Sequence, residues 1–335
     1  MVGAGITLAL LSGVMNGLFT APMKRIPVWR WENIWLVFIS TACVAMPLSV
    51  AAVCGVDWRE LVRLSPGGAV RAALLAGFVW GFAAIMFGLS VDRLGVSMAN
   101  SLAIGLNSAL GSLAPMVMRG GWVIGPAQAL LLAGAAGFLG GVWLCGSAGR
   151  GRDRRAKETA GAGRPASGYL LAAGAGVISA VLNLGYTAAL PIADAGEALG
   201  YSHFEASTAV WILMLGAGCA PNAVYCLALL FRNRSFRLYA GAPARKTWLA
   251  AVGMGLLWGG SIFLYGACTP MLGRLGPAIG WPVSLAAALL TANGMGLLLG
   301  EWRHAAPPER RRMGAGLAVL LAAILLCAGA SAIEP

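Results

Sequence analysis

Ser12, Asn16 and Thr20 are spaced i, i+4 and i+8, with Phe19 beside them, and Ser179, Asn183 and Thr187 repeat the pattern 167 residues later, with Tyr186 in place of the Phe. In a helix this spacing sets two hydroxyls and an amide on one face. Such a stripe offers hydrogen-bond donors and acceptors to a polar solute, and the aromatic ring covers the solute's apolar side. The same residue types also join helices by bonding across an interface, and the spacing alone leaves both readings open. A further stripe lies in GVSMANSLAIGLNSALGSLAP (95–115), where Asn100 and Asn107 are seven apart and Ser97, Ser101 and Ser108 lie close to the same side.

These polar residues sit in a chain that is 59% hydrophobic and 11% charged over 335 residues, with a mean hydropathy of +0.78. That balance makes lipid the solvent and demands apolar runs of about 20 residues. Ten such runs fall near 2–22, 33–55, 69–91, 96–118, 123–146, 168–190, 206–231, 247–269, 273–300 and 313–333. The first lacks a basic n-region and is read as a retained helix rather than a signal peptide. Nineteen of the 24 Lys and Arg residues fall in the loops after the odd-numbered runs, and five elsewhere. By the positive-inside rule those loops are cytoplasmic and both termini are outside. The net charge of +12 therefore reports topology, and no nucleic-acid partner is expected. The longest polar connection, 147–167, is rich in Arg, Gly and Ala and is expected to be a mobile basic linker.

The duplication extends further. GFVWGFAAIMFGLSVDRLG (77–95) aligns with GLLWGGSIFLYGACTPMLG (255–273), matching Gly77 with Gly255, Trp80 with Trp258, Gly81 with Gly259 and Phe87 with Tyr265. Run n thus corresponds to run n+5. Five crossings bring the chain to the opposite side of the bilayer, so the second half must be inverted relative to the first, a plan recurrent among secondary transporters. The expected fold is an all-α polytopic membrane protein of ten helices. Residues 1–146 form one five-helix repeat, 147–167 the cytoplasmic linker and 168–335 the second repeat.

Candidate solute-binding residues are Asn16, Phe19, Thr20, Trp80, Asn100, Asn107, Asn183, Tyr186, Thr187, Trp258, Tyr265 and Trp281. Trp80 and Trp258 lie inside their runs, away from the interface where Trp is enriched, and packing is the competing role for each. Trp281 lies between Pro277 and Pro282, which can free backbone carbonyls toward a cavity. Trp29, Trp31 and Trp35 in PVWRWENIW read as an aromatic belt at the cytoplasmic surface. No acid stands at the centre of a run; Glu32, Asp92, Glu205 and Glu301, all near run ends, are the candidates for proton coupling, against the simpler role of terminal charges. The seven cysteines form no CxxC and read as small apolar residues. No GxSxG, HExxH or phosphate-binding glycine loop is present, so no enzyme, metal or cofactor is expected.

FTAPMKRIPVWRWENIW (19–35), WGFAAIMFGLSVDRLGVSMANSLAIGLNSALGSLAP (80–115) and GLLLGEW (296–302) resemble segments of the L-rhamnose–proton symporters, a family of the drug/metabolite transporter superfamily. The resemblance implies an inverted five-plus-five repeat, with helices one to four and six to nine around the pathway. It implies uptake of L-rhamnose or a related deoxyhexose with a proton, by alternating access, across the bacterial cytoplasmic (inner) membrane. The partners would be the sugar, the proton and the bilayer; the oligomeric state is not legible. Export of another metabolite and a non-transport sensor are the competing readings.

Overall fold

The computed structural model describes residues 2–26, 28–118, 125–160, 166–241, 244–271 and 276–333. Among them every regular element is helical. The first run is α1 (Val2–Leu18). The second is α2 (Trp31–Ser40), one π-helical turn (Thr41–Ala45) and α3 (Met46–Val53), followed by the short α4 (Trp58–Leu64). Runs three to seven are α5 (Gly67–Leu94), α6 (Val96–Met118), α7 (Pro126–Ala160), α8 (Ser167–Ala198) and α9 (His203–Asn233). The last three are α10 (Ala244–Met271), α11 (Gly276–Leu298) and α12 (Pro307–Ile333). Seven of these helical stretches are long and apolar enough to cross a bilayer among the described residues. Helices satisfy their own backbone, which is why a chain dissolved in lipid takes this form.

Helix ends follow local chemistry. The Asp57 side chain accepts the Glu60 N–H to start α4, and Ser202 with Glu205 forms a reciprocal capping box at the start of α9. Gly95 and Gly300 take positive φ at the α5–α6 turn and after α11.

One expectation is corrected here. α7 does not stop near residue 146 but continues as helix to Ala160, so most of the expected linker is structured, and Arg152 and Asp153 within it are buried. Arg, Ala, Lys and Glu are good helix formers, and their polarity shortens the apolar run without ending the helix.

The chain divides into two compact units. One comprises residues 1–21, 86–180 and 263–335 and is centred on Leu94, Met98, Phe138, Leu289, Leu320 and Ile324. The other comprises 22–85 and 181–262, with a core around Leu61, Ala73, Ala76, Ile192, Val210 and Met214. Within the second unit the duplicated glycines act alike. A Cβ at Gly77 would overlap the Met214 carbonyl oxygen on α9, and one at Gly255 would come within 2.9 Å of the Phe38 carbonyl oxygen on α2. Each glycine thus seats its helix against the backbone of another.

Candidate functional site

In the first unit, Gly13 and Gly17 bring α1 against the backbone of α11 at Ser284 and Ala288. Ser12 Oγ lies 3.1 Å from Ser284 Oγ, so this member of the stripe joins helices. Thr20 is fully buried, yet its Oγ1 has no hydrogen-bond partner. The buried Oδ1 of Asn107 on α6 is likewise without one. Orphaned buried polar atoms are costly, so each is a position at which a hydroxyl-bearing ligand would be stabilised. Asn100 donates one N–H to the carbonyl of Val96, 2.8 Å away on its own helix. Phe19 is buried and stacks on Phe87 with centroids 5.9 Å apart. Asn16 is half-buried, and Tyr265 packs near Ala9, Cys268 and Val283.

In the second unit, the duplicated tryptophans meet. Trp80 and Trp258 stack with centroids 5.3 Å apart and planes 16° from parallel. Phe38 stands edge-on to Trp258 at 6.3 Å. Tyr186 stacks on Trp211 at 4.8 Å. Asn183, Thr187 and Trp281 lie in α8 and α11, but their side chains fall outside the described part of the structure. The sequence reading missed Asn222. This buried residue on α9 accepts from Trp35 Nε1 at 2.9 Å and donates to the carbonyls of Gly81 and Gly218, both at 2.8 Å. It ties three helices together, and a lone amide in an apolar run was the signal for it.

The aromatic belt also needs correction. Trp29 and Trp35 are buried in this unit rather than displayed at its surface. Trp29 meets Tyr239 and Trp248 edge-on at 5.0 and 5.1 Å and donates to the Leu238 carbonyl, while Trp31 stacks on Trp35 at 5.3 Å. A short 3₁₀ turn (Ser235–Ala240) reaches back to this segment, its Leu238 carbonyl accepting from Trp29 and its Ser235 carbonyl from Asn33 on α2.

All four candidate acids sit at helix ends. Asp92 is exposed at the end of α5. Glu205 accepts the Ser202 N–H at 2.8 Å in the α9 capping box. Glu301 accepts the N–H groups of Val96 at 2.7 Å and Ser97 at 3.1 Å, so its anion sits on the positive end of α6. Glu32 is buried; Asn233 Nδ2 and Ser235 Oγ donate to its Oε1 at 2.9 and 2.8 Å.

Around Glu301 the structure assembles a polar cluster that the sequence did not reveal. Buried Arg152 pairs with Asp153 at 2.9 Å, lies 4.8 Å over the Trp302 ring and donates to the Glu301 carbonyl. Tyr169 donates to the other Asp153 oxygen at 2.7 Å. Trp302 Nε1 donates to Ser97 Oγ, which in turn donates to Asn293 Oδ1. Asn293 donates onward to Ser101 Oγ at 3.1 Å. Ser97 and Ser101 of α6 are thereby used within the protein. Among the described residues no group of His, Cys, Asp and Glu could hold a metal ion.

The family model for the L-rhamnose-proton symport protein matches residues 1–332. Among curated relatives, the L-rhamnose-proton symporter of Cronobacter sakazakii is 27% identical over 328 residues, covering 95% of each chain. Those of Klebsiella pneumoniae and Escherichia coli carry the same name and are each 25% identical, again covering 95% of each chain.

Proposed function

Because the chain belongs to the L-rhamnose–proton symport family, we propose that it is a secondary transporter, not an enzyme, taking up L-rhamnose or a related deoxyhexose with a proton by alternating access. The observation that carries this reading is the match along nearly the whole chain, from residue 1 to 332. The chain would cross the bacterial inner membrane ten times, as an inverted five-plus-five repeat with both termini outside. The pairing of Gly77 with Gly255 and of Trp80 with Trp258 supports the repeat. The Lys/Arg distribution supports the orientation.

Thr20 and Asn107 head the polar ligands, because each holds a buried oxygen that awaits a partner. Asn16 and Asn100 are the further polar candidates of the first unit, and Asn183 and Thr187 those of the second. Phe19, Tyr265 and Trp281 are the aromatic candidates of the first unit, and Tyr186 with the stacked pair of Trp80 and Trp258 those of the second. The test is labelled L-rhamnose uptake into proteoliposomes with and without an inward proton gradient. Thr20→Val removes the hydroxyl at constant volume and should lower affinity by about 1–2 kcal/mol, roughly five- to thirtyfold in apparent Kd. Unchanged affinity in that variant would remove Thr20 from the site.

Glu32 is the first coupling residue to test. Glu205 and Glu301 are already fixed by backbone N–H groups at helix starts, where an anion belongs. Glu32 is buried and receives side-chain donors that can equally serve a neutral acid. Glu32→Gln should abolish gradient-driven accumulation while leaving rhamnose counterflow within about threefold of normal, since exchange needs no net proton movement. Accumulation that persists in Glu32→Gln would move the search to Asp92, Glu205 and Glu301.

A further inference from the structure

Trp80 and Trp258 occupy matched positions 178 residues apart, and they touch each other. Resting on the inverted repeat and the deoxyhexose substrate proposed above, this contact has a geometric consequence. The two-fold axis of an inverted repeat lies in the membrane plane, at mid-depth. Matched residues that touch each other must straddle that axis. The stacked pair therefore stands at mid-membrane, the depth at which such carriers bind their solutes.

The two rings are not equivalent. On α9, the Gly218 carbonyl approaches Gly81, and a Cβ at Gly218 would come within 2.7 Å of Trp80 Cε3. The absent side chain lets the Trp80 ring seat against α9, where it is 7% exposed. In the matched place on the second run, the carbonyl approaching Gly259 belongs to Ala42, which carries a methyl group. Ala42 lies in the π-helical turn, a helical irregularity often found at functional sites. Trp258 is half-buried there and meets Phe38 only edge-on.

We propose that Trp258 is the platform for the apolar C–H and methyl face of the deoxyhexose. Trp80, wedged between Gly218 and Trp258, is the positioning residue that holds the platform ring in its plane. One duplicated Trp thus binds and the other supports, and the symmetry is broken by glycine against alanine. A stacked aromatic face suits a 6-deoxy sugar, whose C–H surface is attracted to the negative face of the ring.

The test uses the full-length protein in proteoliposomes and in detergent, with L-rhamnose as the probe. Trp258→Phe should raise the rhamnose KM about tenfold with Vmax nearly kept, the size of one lost aromatic contact. Trp80→Phe, which keeps a smaller wedge, should raise it only about two- to threefold. Gly218→Ala should raise KM toward the Trp258→Phe value by displacing Trp80. With 5-fluorotryptophan incorporated, the ¹⁹F line missing from Trp258→Phe should shift on adding rhamnose further than the line missing from Trp80→Phe. That readout needs no variant to transport. A Trp258 line unmoved at saturating rhamnose, or an unchanged KM in Trp258→Phe, overturns the assignment and leaves the transport reading intact. A wild type that binds neither rhamnose nor any other 6-deoxyhexose overturns both.

Discussion

Gly77→Ala is expected to lower the thermal midpoint of the purified protein by roughly 5–10 °C, a loss of about 3 kcal/mol. The added methyl group would overlap the carbonyl oxygen of Met214 and approach its Cα to 2.8 Å. Those atoms belong to the backbone of α9, so no rotamer change relieves the contact, and α5 and α9 must separate by about 1 Å. The separation would propagate, because one turn along α5 Gly81 lies against Gly218 and Asn222 hydrogen-bonds the Gly81 carbonyl. A control sits on α10. Gly253 has nothing within 4 Å of its would-be Cβ, so Gly253→Ala should be neutral or gain up to about 1 kcal/mol from helix propensity. Thermal unfolding followed by size-exclusion fluorescence distinguishes the two. Equal midpoints for Gly77→Ala and wild type would mean that the helices do not approach as closely as the structure has them.

Arg152→Met is the second large effect. Arg152 and Asp153 are 3% and 8% exposed and pair at 2.9 Å. Removing the guanidinium leaves a buried carboxylate with Tyr169 as its hydroxyl donor and strips the cation from the Trp302 ring. Breaking one partner of a buried pair costs about 3–5 kcal/mol. Removing both partners is far milder, since the desolvation penalty leaves with them. Arg152→Met with Asp153→Leu should therefore recover most of the midpoint lost in Arg152→Met alone, to within about 1–2 kcal/mol of wild type. If the double variant is as unstable as the sum of the single ones, the pair is not coupled. Rhamnose uptake by the recovered variant then reports whether the cluster around Glu301 serves more than stability.

Hydrophobic run length alone delivered the helical class and nearly all helix positions, because a backbone in lipid has few ways to satisfy itself. Internal similarity went further. Gly77 and Gly255, matched as letters, both receive a neighbouring backbone, and Trp80 and Trp258, matched as letters, stack. Ser12 and Asn16 lie one turn apart on α1, as their spacing predicts, but Thr20 falls in the turn beyond Leu18, and the division of labour among them was not legible. Ser12 bonds across to Ser284, whereas Thr20 keeps an orphan hydroxyl, and nothing in the spacing tells these fates apart.

The misreadings share one cause. Arg152 and Asp153 read as linker because their neighbours are charged. They are buried because Trp302 comes over Arg152 from far along the chain and Tyr169, 16 residues on, donates to Asp153. Trp29 and Trp35 read as an interfacial belt because Trp beside Arg is the usual mark of one. They are interior because Asn222 and the Leu238 carbonyl, about 190 to 210 residues on, accept their N–H groups. What the sequence by itself determined is local: apolar length, helical character and internal similarity, each a property of residues within a few turns or of letters compared directly. The tertiary structure decided which polar group finds a partner. For Trp29, Trp35 and Asn222 the partner is a group that folding brings within 3 Å from far along the chain, and composition around either one carries no record of the other.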